Sequence, residues 1–159
     1  CSFLAFEISD SRAAPVDGTQ TLVFLRHAEK PAGGLGQLNC QGLNRALNLA
    51  EVLPQRFGNA DFVFAADPGR HVEEGENDES DKYHNAVIYT AWSHGYLPEL
   101  INEVAGRAVG QKMNITDDWE SGDFDSLYVL TLTWHDGKAS LLSRNVKQGL
   151  DNGHTACPA

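Results

Sequence analysis

Thr21-Leu22-Val23-Phe24-Leu25-Arg26-His27-Ala28-Glu29 is the stretch on which the fold turns. From Thr21 to Leu25 it is a short continuous run of strand-forming residues with no polar alternation, the pattern of a strand covered on both faces. The run stops on Arg26-His27, and a loop follows, Pro31-Ala32-Gly33-Gly34-Leu35-Gly36, too rich in glycine for a regular element. Leu43, Ala46, Leu47, Ala50 and Leu53 then recur at helical spacing. They predict an amphipathic helix over 41–56, with Asn39 as its N-cap and Gly58 as its stop.

The alternation continues outward. Asp61-Phe62-Val63-Phe64-Ala65 reads as a second buried-type strand and Ala86 to Trp92 as a third, while Leu97, Leu100, Ile101 and Val104 predict a second helix over 97–104. Between the second and third strands, the acidic stretch 73–81 has no apolar periodicity and reads as a solvated loop. Ser126 to Trp134 and Lys138 to Leu142 flank His135-Asp136-Gly137, whose Asp-Gly pair is a strong hairpin signal. Strands alternating with helices ahead of a hairpin predict an α/β domain around a mainly parallel sheet. With 159 residues, 42% of them hydrophobic, the chain suits a single core. Residues 1–20 read as an N-terminal tether and 21–159 as the domain.

A formal net charge of -10 argues against nucleic acid or an anionic membrane surface as a partner, since both are polyanions. A small anionic substrate is not excluded, because salt screens charge over roughly 8 Å and a few arginines in a cleft act locally. No apolar stretch approaches the roughly 20 residues of a membrane-spanning helix. The chain opens on Cys1 rather than Met, which fits either a lipid-modified cysteine left by a lipoprotein signal peptide or a signal remnant or arbitrary boundary. The remaining cysteines, Cys40 and Cys157, fit a disulfide in an exported protein, periplasmic or extracellular rather than cytoplasmic. Such a bond would pin the C-terminal tail to the start of the first helix and stabilise the fold by about 4 kcal/mol through loop entropy. The alternative is a pair of buried or free thiols.

Reactive residues gather where strands end. Arg26 and His27 follow the first strand, Arg70 the second and His94 the third, and open α/β sheets bind ligands beyond the carboxyl ends of their strands. Two guanidiniums offer bidentate forks to phosphoryl oxygens, and two imidazoles supply a nucleophile and a donor to the transferring group. Taken singly, a histidine at a strand end is ordinarily structural, and His71, His84, His135 and His154 are read so. His27 and Glu29 stand two residues apart, without the helical spacing of a zinc-binding pair, and no metal or cofactor is expected.

Leu22 to Lys30 resembles the arginine-histidine motif of the histidine phosphatase superfamily, the relatives of phosphoglycerate mutase, with Ala28 in place of the more usual Gly. The Gly42 helix with Leu43-Asn44-Arg45-Ala46, the segment Ala66-Asp67-Pro68-Gly69-Arg70, and Ala91-Trp92-Ser93-His94-Gly95-Tyr96-Leu97-Pro98 are similar to its successive landmarks. Trp119 and the run Asp123 to Val129 resemble its last core strand, so the likeness extends from Thr21 to Leu150. It implies a three-layer α/β/α sandwich around a mainly parallel sheet. It also implies a phosphatase acting on phosphomonoesters, with His27 becoming phosphorylated, Arg26 and Arg70 binding the phosphate and His94 completing the pocket. Its substrate would be a phosphorylated small molecule or a phosphoprotein.

The chain also departs from that pattern. Ala66 stands where the family commonly has Ser, and His71-Val72-Glu73-Glu74 follows Arg70 in place of Thr-Ala. A short acidic linker replaces a longer helical section that usually carries further pocket residues and often the proton donor. Glu73, Glu74, Glu76 and Glu79 are the nearby acids and read as solvated, while Glu29 reads as the ion-pair partner of Lys30. Two functions follow: a hydrolase of phosphomonoesters with good leaving groups or of phosphoproteins, or a family member that binds a phosphorylated ligand or partner without turnover. A mutase, which needs a more enclosed site, fits less well.

Overall fold

The computed structural model describes residues 17–33, 37–65, 83–151 and 153–158. Along the chain these form β1 (Gly18–Arg26), α1 (Cys40–Phe57), β2 (Phe62–Ala65), β3 (Val87–Trp92), α2 (Leu97–Val109), β4 (Ser126–His135) and β5 (Lys138–Lys147). The strands make one sheet in the order β2-β3-β1-β4-β5. β1 lies at its centre and alternates as a doubly covered strand must. Leu22 and Phe24 face Leu97, Ile101 and Ala105 of α2, while Val23 and Leu25 pack with Leu49 and Leu53 of α1. Burying each such large side chain is worth roughly 1.5–3 kcal/mol. β1 begins three residues ahead of Thr21, because Gly18 to Gln20 pair with Trp134 to Leu132. Gln20, polar within this strand, accepts from the Trp134 indole N–H at 2.8 Å and donates to the Tyr83 carbonyl at 2.8 Å.

The expected three-layer α/β/α sandwich around a mainly parallel sheet is not what forms. β1 pairs in parallel with β3, and β3 with β2, but β4 runs antiparallel to β1 and β5 antiparallel to β4. The antiparallel ladders are the longer ones, so the sheet is mixed and mostly antiparallel. The cause is the route after α2: residues 110–125 carry the chain back to the end of the sheet where β1 finishes, so β4 must return against it. Asp136 and Gly137, both at positive φ, then close a tight hairpin into β5. Helical cover amounts to only two helices among the described residues, too few for the helix-rich layers of such a sandwich. β5 is left largely open to water, with Leu142 59% exposed.

α1 is fixed at both ends. The Asn39 side chain accepts from the Gly42 N–H at 2.8 Å, and Gly58, at φ 95°, donates its N–H to the Pro54 carbonyl at 3.0 Å. The Tyr89 hydroxyl donates to the Gly58 carbonyl at 2.6 Å, tying this end to β3, and burial pushes its pKa up. At the other end Cys40 and Cys157 form the expected disulfide. Asn44, one turn along, donates to the carbonyls of His154 and Ala156, each at 2.7 Å, so the C-terminal segment straps across the start of α1. Among the described residues, no helix is long and apolar enough to cross a membrane.

Candidate functional site

The site is built by register. Arg26 pairs with Trp92 where parallel strands β1 and β3 finish together, and the His27 N–H continues the ladder by donating to the Trp92 carbonyl at 3.0 Å. The turn Ser93-His94-Gly95 follows at once, and the N–H groups of Tyr96 and Leu97 close onto the Ser93 carbonyl to start α2. Because β4 is antiparallel to β1, with Leu25 opposite Leu127, the segment 119–125 arrives at the same edge. Arg26, His27 and His94 are thus brought together, with a wall from the β4 side.

Arg26 is 5% exposed and held from that wall. One terminal nitrogen donates to the Ser121 carbonyl at 2.5 Å, and the guanidinium carbon sits 3.8 Å from the centre of the Phe124 ring. Its Nε is buried with no partner among the described residues. Burial pulls the Arg26 pKa down while the charges of Asp123 and Glu29 oppose the shift, and a guanidinium stays protonated through such a change. The wall is stiffened from within: the Trp119 indole N–H donates to the Asp123 carbonyl at 2.9 Å, and the Asp123 carboxylate accepts from the N–H groups of Asp125 and Ser126. Burial pushes the Asp123 carboxyl up, but hydrogen bonds from Ser126 and Lys147 outweigh it and hold the group below the usual range, so Asp123 is anionic.

His27 is half-buried and lies edge-on to Phe124, with ring centres 6.3 Å apart. Its Nδ1 is 3.0 Å from the Ala28 carbonyl oxygen, which only accepts, so Nδ1 donates and the neutral ring carries its lone pair on Nε2. Burial lowers the pKa of His27. The Ala28 hydrogen bond opposes this, but the positive charges of Lys30, Arg26 and His94 push the same way as burial. The ring is neutral at physiological pH. Across from it, Nδ1 of His94 is buried and has no partner among the described residues.

A second cluster lies directly beneath. Glu29 pairs with Arg45 of α1 and not with Lys30 as expected: Arg45 Nε is 2.9 Å from one carboxylate oxygen and 3.1 Å from the other. The same guanidinium reaches Asp125 at 3.0 Å, Gln148 at 2.9 Å and Asp151 at 2.8 Å. Burial pulls the Arg45 pKa down, but its bonds to Glu29, Asp151 and Asp125 drive it far up. Gly42, one turn before Arg45, has to be glycine, because a Cβ there would overlap the backbone of Glu29. The helix predicted over 41–56 forms as α1, but of the stripe Leu43, Ala46, Leu47, Ala50 and Leu53 only Leu53 is buried. Gly42, Arg45, Leu49 and Leu53 point inward, and Leu43 and Leu47 are exposed. The missed signal is Gly42 three residues before an arginine that is itself four residues before Leu49, a stripe a glycine and a charge disguise.

Arg70, His71 and the acids Glu73, Glu74, Glu76 and Glu79 lie outside the described residues, as does Cys1. His84 contacts the Asn85 amide, and His154 lends its carbonyl to Asn44. His135 sets one ring nitrogen 3.2 Å from Asp17 and the other 3.3 Å from Asp136 on the exposed hairpin tip. Asp17, His135 and Asp136 are all exposed and bring one potential ligand atom each within 4.8 Å of one another. No family model matches the chain, and no curated protein matches it.

Proposed function

We propose that Arg26, His27 and His94 bind the phosphoryl group of a phosphomonoester and hydrolyse it through a phosphohistidine at His27. This is the chemistry of the histidine phosphatase superfamily that Leu22 to Lys30 resembles. The observation that carries the reading is a pair of buried nitrogens, Arg26 Nε and His94 Nδ1, without a hydrogen-bond partner among the described residues, beside a neutral imidazole. A buried donor such as the Arg26 Nε–H costs roughly 1–3 kcal/mol when unpaired, and a phosphoryl oxygen would satisfy it, as it would His94 in the tautomer protonated at Nδ1. The His27 Nε2 lone pair attacks phosphorus, and the bond to the leaving oxygen breaks with its electron pair. That oxygen takes a proton from solvent as the alcohol departs. Water then attacks the phosphohistidine, the N–P bond breaks, phosphate is released and the imidazole is restored. Arg26 and His94 face the charge on the transferring oxygens, the position where fixed donors accelerate such a step. By the same resemblance, Arg70 would supply a second fork.

The substrate is a phosphorylated small molecule or a phosphoprotein. An exported location is supported by the Cys40–Cys157 disulfide, since such bonds persist in oxidising compartments. One observation favours the second reading, binding without turnover. Among the described residues, Glu29, Asp123 and Asp125 are engaged as hydrogen-bond acceptors, and none of these three is left to hand a proton to a leaving oxygen. Phosphate release from p-nitrophenyl phosphate, whose leaving group needs no such proton, separates the readings. Wild type is expected to turn over and His27→Ala to fall to background. Equal rates in the two proteins would remove the catalytic role. Stabilisation by inorganic phosphate without turnover would select the binding role.

A further inference from the structure

We infer that Arg45 is a positioning residue for His27: from inside α1 it holds the Glu29 carboxylate and so fixes the ring that takes the phosphoryl group. The inference rests on reading His27 as the nucleophile. Glu29 is two residues past His27, and its carbonyl accepts the Asn39 N–H at 2.9 Å, so the intervening loop closes back on the helix cap. Arg45 grips the same residue by its side chain, with Nε and a terminal nitrogen both within 2.9 Å of Oε1. Its other terminal nitrogen meets Asp125, the neighbour of Phe124, whose ring touches both Arg26 and His27. One buried side chain therefore braces both walls of the site while touching no reacting atom. A lysine, as a point charge without the fork, cannot hold Glu29 and Asp125 at once. The close approach of Gly42 to the Glu29 backbone is what lets the fork reach.

The test uses the intact, disulfide-bonded protein labelled with nitrogen-15. In wild type, the His27 ring is expected to show a single neutral tautomer, protonated at Nδ1. In Arg45→Lys, the ring is expected to show both tautomers, and affinity for inorganic phosphate is expected to fall by about tenfold or more, by analogy with the loss when a residue that orients a metal ligand is removed. Tyr89→Phe loosens α1 at its opposite end and serves as the control for general destabilisation, with tautomer and affinity expected as in wild type. If Arg45→Lys does not fold, Glu29→Gln carries the same expectation from the other side of the pair. An unchanged tautomer and affinity in a folded variant of the pair overturns the inference. So does an equal change in Tyr89→Phe. Absence of turnover in wild type removes the nucleophile reading alone, because the tautomer is read without catalysis.

Discussion

Arg26 and Arg45 are buried to the same degree, 5% and 4% exposed, yet their surroundings differ in kind. Arg45 is surrounded by acceptors that carry charge: Glu29, Asp125 and Asp151, with the Gln148 amide as a fourth partner. Arg26 is given carbonyl oxygens, the face of Phe124 and an Nε with no partner among the described residues. A buried cation costs free energy unless it is paired. In the first case the chain supplies the pairing itself. In the second the described residues supply none for Nε, and under the proposed function that partner is a phosphoryl oxygen. If the proposed function holds, the contrast separates a cation that holds the fold from one that takes a ligand.

The largest effect that can break this contrast is on stability. Arg45→Met leaves two buried carboxylates, Glu29 and Asp125, without their cation, and removal of one member of a buried pair typically costs about 3–5 kcal/mol. Arg26→Met gives up the contact with Phe124, worth about 2 kcal/mol at a desolvated site, and the hydrogen bond to the Ser121 carbonyl, but also removes a buried Nε that has no partner among the described residues and leaves no carboxylate stripped of its cation, so a smaller loss is expected. Urea unfolding of the two variants beside wild type measures both. A loss in Arg26→Met as large as that in Arg45→Met would mean that both arginines are structural.

The same two residues show how far the sequence can be read. Every strand and helix was legible from periodicity and punctuation, down to the Asn39 cap and the Gly58 stop, because those signals are local. The position of Arg26-His27 was legible for the same reason: an apolar run that ends abruptly on two charged or titratable groups marks a strand end. What was not legible depended on partners distant in sequence. The role of Arg45 requires Asp125, Gln148 and Asp151, each about eighty or more residues away, and its inward orientation was masked by apolar Leu43 and Leu47 on the exposed face. The direction of β4 was equally hidden, since a strand's own residues do not record which way its neighbour runs. The expected parallel sandwich failed at that point.

A smaller effect sharpens the ligand side. If Arg26 waits for an oxyanion, inorganic phosphate at about ten times its dissociation constant stabilises wild type by roughly 1.4 kcal/mol through mass action. Thermal unfolding with and without phosphate reads this as a rise in Tm. Arg26→Met is expected to show no rise, whereas Tyr89→Phe, destabilised elsewhere, keeps it in full. An undiminished rise in Arg26→Met would place the anion on other groups.

The smallest expected effect is a pH dependence centred on His27. Its pKa is lowered in the folded protein by burial, with Lys30, Arg26 and His94 adding to the shift against the Ala28 carbonyl. Below the ordinary imidazole value of about 6.5, the unfolded chain therefore binds a proton that the folded chain resists. Folding stability from this group is complete above that value. It falls as pH drops toward the lowered folded pKa and changes no further once both states are protonated. The measurement is urea unfolding of wild type and His27→Gln between about pH 8 and pH 5, where the wild-type stability should decline more on acidification. In Arg26→Met the extra decline should shrink, because one of the charges opposing protonation is gone. A wild-type protein that instead gained stability relative to His27→Gln as pH fell would have its imidazole held protonated by a carboxylate. Nε2 would then have no lone pair to offer, and the difference between the two arginines would have to be explained without a nucleophile beside Arg26.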